Sequence, residues 1–312
     1  MTLLRRKLAP QLSPATERAL HLRFVDATTV TLSAKLLHFG LRVGTRSADK
    51  PRRHIKTVWE QDDNGLPACL RLCKTASECG DSAALGDTML RTARAGDLFV
   101  FDKGCHCRQR LFALHQAQTF WLTPHSTQGL QQRQTVWQSA APPPDCPPRS
   151  GQASGQLVSV ETAVFGNTTD SKAARQQWQE MPVVLVHLWR YDQRSQHWVT
   201  LSLMTNLPYD AVTQQVGGFS FEEIAAVFAQ RWDIEVFFKL LKQHLSMSHL
   251  LSRCENGIRV MLAMTQIAVL LLLWYRQQTQ IDRGWRSVKF WLANDVREWT
   301  QQALTARIWQ IE

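Results

Sequence analysis

The apolar and polar positions alternate with period two in some stretches and recur with helical spacing in others. Leu20 to Leu32, LHLRFVDATTVTL, mixes alternation with β-branched residues and reads as a strand or hairpin interrupted near Asp26. His54 to Glu60 and Leu66 to Leu72 flank the turn signal Asp62-Asp63-Asn64-Gly65, which predicts a hairpin. Helical spacing over Ala83 to Ala95 stops at Gly96-Asp97. The short apolar run Leu98 to Phe101 then reads as a buried central strand ending at Asp102. Arg108 to Gln118 reads as helix and Thr119 to Thr123 as strand, so an antiparallel opening passes into βαβ-like alternation.

From Ser139 to Gln156 the composition turns to Pro, Gly, Ser and Ala, including Pro142-Pro143-Pro144 and Pro147-Pro148, as in a loop. Pro182 to Tyr191 and His197 to Thr205 alternate around Asp192 to Gln196, which predicts a hairpin within a largely β insertion. Ser220 and Glu223 form an S-x-x-E capping box, and Phe219 and Ile224 are spaced as a hydrophobic staple. A helix is therefore predicted from Phe221 toward Leu245. The apolar run Val260 to Tyr275 contains Thr265 and Gln266 and is shorter than the roughly 18 to 20 residues needed to span a membrane, so a buried helix is expected there.

Composition changes this picture mainly through charge. At 312 residues, with 44% apolar and 20% charged residues, the chain can bury a full core, and global disorder is excluded. Thirty-six Lys and Arg against 26 Asp and Glu give +10, which favours a polyanionic partner, nucleic acid before an anionic membrane. The seven cysteines, an odd number without regular spacing, fit a reducing compartment better than a disulfide framework. Cys105-His106-Cys107 lacks the second C-x-x-C pair of a zinc site, and small buried thiols are the expectation. The N-terminal MTLLRRKLAPQL has no uninterrupted apolar region ahead of a cleavage site, so no secretory signal is indicated.

The candidate chemistry sits on the helix after Ser220. Counting about 100° per residue from Phe228, Arg231, Glu235, Lys239 and Lys242 fall near 300°, 340°, 20° and 320°, a narrow polar stripe on an otherwise apolar helix. One reading is a solvated face laced by Arg231 with Glu235 and Glu235 with Lys239. The other is a glutamate facing metal, with the basic residues following a phosphodiester backbone. The second needs partner carboxylates, and Asp26 and Asp102, each at or just beyond a predicted strand, are the candidates. Three converging carboxylates repel one another without a cation, and their hard oxygens suit magnesium.

These residues resemble the DDE transposases of bacterial insertion sequences that carry a Tyr-x2-Arg-x3-Glu-x6-Lys signature. Its spacing is intact from Phe228 through Arg231 and Glu235 to Lys242. TNLPYDAVTQQVGGFSFEEIAAVFAQRWDIEVFFKLLKQHL resembles the family's catalytic segment. FVDATTVTL and LFVFDKGC resemble its first-aspartate and second-aspartate strands, and CENGIRVMLAMTQIAVLLLL resembles the helix that follows, so the likeness covers roughly residues 18 to 275.

The resemblance implies an α/β, RNase H-like (retroviral-integrase-like) fold, a mixed sheet flanked by helices with a β-rich insertion before the catalytic helix. Residues 1–125 would form the first part of that core and 126–206 the insertion, with its loop at 139–156. Residues 207–275 would carry the catalytic helix and the remainder of the core, and 276–312 a C-terminal helical tail. Asp26, Asp102 and Glu235 would be catalytic and hold two magnesium ions, with manganese able to substitute. Phe228, Arg231, Trp232, Lys239 and Lys242 would contact DNA. The activity implied is metal-dependent cleavage and strand transfer at element ends, on double-stranded inverted-repeat and target DNA. A homodimer on paired ends, no membrane, and a bacterial cytoplasm are implied with it.

The chain departs from the family at three places. Phe228 replaces the signature tyrosine, and Lys103 with Cys105 alters the usual Asp-Arg-Gly-Tyr of the second motif. Asp26 also comes almost at once, where family members carry helical DNA-binding structure ahead of the first aspartate. A truncated, catalytically inactive DNA-binding remnant, or an RNase H-like nuclease without strand transfer, are therefore the alternatives.

Overall fold

The computed structural model describes residues 20–32, 41–43, 52–62, 65–105, 107–125, 129–140, 157–166, 171–192, 195–245, 247, 254–280 and 285–308. His106, most of the Pro-rich loop and the first 19 residues lie outside this set.

The first half alternates as its pattern predicts. β1 (His21–Leu32), β2 (Leu41–Val43), β3 (Arg52–Asp62) and β4 (Pro67–Cys73) precede α1 (Ala76–Cys79) and α2 (Asp81–Thr92). β5 (Asp97–Val100), α3 (Arg108–Gln116) and β6 (Phe120–Pro124) follow. β1 is one unbroken strand, not a hairpin interrupted near Asp26: residues 23 to 32 pair continuously with β3 from Asp62 to Arg53. An aspartate is a poor strand residue, but here it sits inside a ladder already secured on both sides. Asp62 closes the β3–β4 hairpin by accepting from the Leu66 N–H at 2.8 Å, and Gly65 supplies the positive φ of 69°. Residues 63–64 of that turn lie outside the described set.

β3 pairs antiparallel with β1 and β4 antiparallel with β3, while β5 and β6 run parallel to β1, giving the order β4-β3-β1-β5-β6. That is the arrangement expected of an RNase H-like core. β5 is buried along its whole length, as a central parallel strand should be.

The segment after β6 extends the same sheet. β7 (Leu130–Gln138), β8 (Leu157–Phe165), α4 (Lys172–Gln179), β9 (Val183–Asp192) and β10 (His197–Thr205) follow, and β10 pairs with β6, so the order continues β6-β10-β9-β8-β7. Buried Asn206, just past β10, prolongs that junction with its side chain. Its Oδ1 accepts from the Trp121 N–H at 2.8 Å, and its Nδ2 donates to the Thr119 carbonyl at 3.0 Å. β11 (Tyr209–Asp210) and β12 (Gln215–Val216) form a small hairpin before the helices α5 (Phe221–Gln230), α6 (Trp232–Gln243), α7 (Glu255–Thr279) and α8 (Trp285–Ile308).

Period-two alternation sends β1 and β5 side chains to two cores. Val25, Phe99 and Phe101 pack with Leu85 and Met89 of α2 and with Leu111 and Leu114 of α3. On the opposite face, Phe24 and Val100 pack with Ile224 and Val227 of α5. Further along that face, Val30, Leu32, Ile55 and Trp59 pack with Ile234, Phe237 and Leu241 of α6 and with Ile258 and Leu262 of α7.

α5 starts where the sequence places it. Ser220 Oγ accepts from the Glu223 N–H at 3.2 Å, and Glu223 Oε2 accepts from the Ser220 N–H at 2.9 Å, completing the capping box. Ser220→Ala is expected to cost about 1 kcal/mol, read as a lower urea midpoint at unchanged slope.

Two expectations fail here. The single helix from Phe221 to Leu245 is broken at Arg231. The helix over 260 to 275 is only half buried: Val260, Met264, Ile267, Leu271 and Trp274 of α7 are exposed. By length and composition alone, α7 also qualifies as long and apolar enough to cross a membrane.

Candidate active site

Strand register brings the two aspartates together. Phe24 pairs with Val100 across the parallel β1–β5 ladder. Asp26 and Asp102 each lie two residues further on, so both emerge at the same end of neighbouring strands. Phe24 and Asp26 share a face by alternation, as does Trp59, the antiparallel partner of Asp26 on β3. Trp59 meets Phe237 of α6 edge to face, with centroids 5.3 Å apart, so this face of the sheet looks onto the helices.

α5 covers the part of that face around Phe24 and Val100, and α6 covers the part around Trp59 and Val30. The break at Arg231 falls between them, opposite Asp26. There the Arg231 N–H reaches the Phe228 carbonyl at 3.2 Å, and the Ile234 N–H reaches the Arg231 carbonyl at 3.2 Å. Tight i to i+3 turns replace the α-helical ladder. Glu235 consequently stands in the first turn of a new helix, where the positive end of the helix dipole favours an anion.

Arg231 and Glu235 form an ion pair at 2.9 Å, but not on a solvated face: the Arg231 side chain is only 12% exposed and that of Glu235 34%. The guanidinium lies over the Phe228 ring at 5.6 Å, and its Nε is buried without a hydrogen-bond partner. Among the described residues Glu235 pairs with Arg231 and not with Lys239. Of the laced surface, the Arg231–Glu235 pair is therefore present with its arginine largely covered, and the Glu235–Lys239 pair is not formed. Lys239 and Lys242 are exposed, and so is Trp232, at 61%, which is not the packing residue that a bland reading would make it.

Electrostatics link these groups. The Asp26 carboxyl is pushed up to about 6, first by burial. A hydrogen bond from the Ala27 N–H and the nearby Arg231 charge oppose the rise, while the Asp102 and Glu235 carboxylates add to it. All three carboxylates and Arg231 thus lie within one electrostatic neighbourhood. They are not drawn to ligating distance: among the described residues no three His, Cys, Asp or Glu side chains gather as a metal would require.

This shift makes a testable statement about stability. Between about 3.8 and 6, folded Asp26 binds a proton that the unfolded chain has released. Stability relative to low pH therefore falls as pH rises through that window, and the penalty is complete above it. In chelator, Asp26→Asn is expected to stabilise the protein at pH 8 by about 1–3 kcal/mol and to lose that advantage near pH 4, as thermal melts of both proteins would show.

The break at Arg231 was the feature missed in the sequence. Asp233 and Glu235, two acids in what becomes a first helical turn, were its available signal.

A family model described as Transposase DDE domain matches residues 20–271. A putative transposase for insertion sequence element IS4SA from Synechocystis sp. is 39% identical over 70 residues, 22% of this chain and 20% of that protein. Putative transposase y4zB from Sinorhizobium fredii is 28% identical over 272 residues, 85% of this chain and 64% of that protein. A probable transposase for insertion sequence element IS5377 from Geobacillus stearothermophilus is 41% identical over 61 residues, 20% of this chain and 16% of that protein. The chain therefore covers less than two thirds of the length of each of these relatives. The cryo-EM structure of piggyBac transposase synaptic complex with hairpin DNA is similar over 93% of this chain and 61% of that one, at 9% identity and a TM-score of 0.36, a likeness too distant to bear on fold or function. The family match runs from the first strand through most of α7 and includes Asp26, Asp102 and Glu235; the chain belongs to the transposase DDE domain family.

Proposed function

We propose that this chain is the catalytic domain of a DNA transposase that cuts phosphodiesters at insertion-sequence ends and joins the freed ends to target DNA. The observation that carries this reading is that Asp26 and Asp102, at matched positions on adjacent parallel strands, share one electrostatic neighbourhood with Arg231 and Glu235 at a break in the helices above. A turn aspartate or a surface ion pair has no need of that convergence.

The donor chemistry of these residues, though not their present spacing, fits divalent metal. The donor set is three carboxylates, hard oxygen ligands suited to magnesium or manganese, and the burial and like charge that raise Asp26 call for added positive charge. Asp26, Asp102 and Glu235 would hold two such ions, which when bound activate the attacking oxygen and stabilise the leaving one.

The remaining side chains act on the DNA. Arg231, held in orientation by Phe228, provides a guanidinium for a phosphate near the scissile bond, and exposed Lys239 and Lys242 continue along the backbone from α6. Exposed Trp232 offers a stacking surface for an unpaired base. Water attack at the element boundary breaks the P–O3′ bond and leaves a 3′-hydroxyl and a 5′-phosphate. The 3′-hydroxyl then attacks a target phosphodiester at the same carboxylates, displacing the target strand's own 3′-oxygen, which leaves as a hydroxyl.

The test is purified protein with supercoiled DNA and with labelled oligonucleotides bearing free 3′-hydroxyls, in magnesium and in chelator. Magnesium-dependent nicking together with joined product supports the proposal. Nicking without joining identifies a nuclease, and salt-sensitive DNA binding without nicking identifies an inactive binding remnant.

A further inference from the structure

The exposed apolar residues of α7 are not scattered. Val260, Met264, Ile267, Leu271 and Trp274 follow one another in steps of four, three, four and three, the heptad spacing of a helix–helix seam. They occupy an arc of about 80° opposite the face that packs on the core through Ile258, Leu262 and Val269. The stripe extends about 21 Å along the helix.

The spacing is symmetric about Ile267 to within one residue: Val260 and Trp274 each lie seven residues away, Met264 three and Leu271 four. If a second helix runs antiparallel with Ile267 facing its own mate, Val260 meets Trp274 and Met264 meets Leu271. A small side chain then faces the largest one, and two of similar volume face each other, as a packed seam needs. A second copy of this chain satisfies this pattern, because a two-fold interface must be self-complementary.

Charge selects the same occupant. At +10, two copies repel across most of their surfaces. Along the arc from Asn256 to Gln278 the stripe carries no charged residue, so it is a face on which a like-charged copy can dock. A standard interface takes about 800 Å² from each partner. The five α7 side chains supply part of this. α8, which packs on α7 through Val288, carries exposed Phe290, Trp291 and Trp299 that can extend it.

Lipid fits less well. The core-facing side of α7 is fastened to the sheet, with Lys74 Nζ at 2.6 Å from Glu255 Oε1 and Gln266 Nε2 donating to the Pro67 carbonyl at 3.4 Å. A bilayer would require that side to detach.

We propose that α7 is a self-association helix, two copies of this chain packing antiparallel along the stripe about a two-fold axis at Ile267. This is independent of the catalytic reading, and Glu235→Gln should leave it unchanged.

The experiment is sedimentation velocity over a concentration series, on the whole chain freed of nucleic acid and at high salt. The wild type is expected to dimerise. Ile267→Glu, at a position already in contact with solvent, is expected to raise the dissociation constant at least about a hundredfold with an unchanged melting temperature. Cysteine cross-linking then tests the register in a Cys254→Ser background, which keeps a capping side chain at the start of α7. Ile267→Cys should cross-link to itself. Val260→Cys alone should not, but it should cross-link when mixed with Trp274→Cys. A wild type that stays monomeric, a dimer indifferent to Ile267→Glu, self-cross-linking at Val260, or partition of the stripe into phosphatidylcholine vesicles in place of dimerisation would each overturn the proposal.

Discussion

Glu235→Gln is expected to lower the rate of magnesium-dependent nicking by about a thousandfold or more while leaving the fold intact. Metal-ligand charge contributes several kcal/mol to stabilising a phosphoryl-transfer transition state, and each 1.36 kcal/mol is about tenfold in rate. The amide keeps the size of the side chain and can still accept from Arg231, so what it loses is the negative charge. The ion pair it replaces, at 2.9 Å and with Glu235 one third exposed, contributes only about 0–1 kcal/mol to stability. Single-turnover nicking and a thermal melt on the same preparation separate the two effects. Full nicking by Glu235→Gln would remove Glu235 from the catalytic set, and a collapsed melt would show a structural role instead.

Asp26→Asn forms a pair with this variant. Both are expected to lose activity, but Asp26→Asn is expected to gain stability in chelator at pH 8, because burial and two neighbouring carboxylates hold Asp26 in an unfavourable charge state. A purely structural aspartate would do the opposite.

Much of this site was legible in the sequence, and for identifiable reasons. Asp102 closes a continuous apolar run, the pattern of a strand buried on both faces, and the Ser220–Glu223 box marks a helix start unambiguously. Neither signal depends on distant parts of the chain. The matching of Asp26 to Asp102 depends on the parallel register of two strands separated by some seventy residues of chain, and no local pattern encodes it.

The break at Arg231 was obscured because the residues on both sides are compatible with helix and the apolar spacing continues past it. What separates α5 from α6 is tertiary: one helix packs around Phe24 and the other around Trp59, and the interruption lets each follow its own part of the sheet. The exposed face of α7 was missed for a different reason. Hydropathy reports how apolar a helix is, whereas the step pattern reports whether that apolarity faces one partner or two.

Arg23→Met is expected to destabilise the protein by about 3–5 kcal/mol, the largest stability loss predicted for any of these changes. Arg23 of β1 donates from Nη1 to Asp97 Oδ2 at 2.6 Å and to the Thr92 carbonyl at 2.8 Å, and from Nε to Glu60 Oε2 at 2.9 Å. Its guanidinium also lies 4.6 Å from the centroid of the Phe99 ring. The ion pairs are deeply placed, with the Asp97 side chain only 4% exposed, so removing the cation leaves carboxylate charge in the sheet interior without its guanidinium. Replacing the charges together removes that penalty: Arg23→Met combined with Glu60→Gln and Asp97→Asn is expected to recover much of the loss. Arg23 joins β1 to β3 and β5, the strands that align Asp26 with Asp102, so the single variant should lose nicking at temperatures where it is still mostly folded. Urea unfolding gives the stability and nicking at 25 °C the alignment. A loss under about 1 kcal/mol would mean that the backbone ladders alone hold the two aspartates in register.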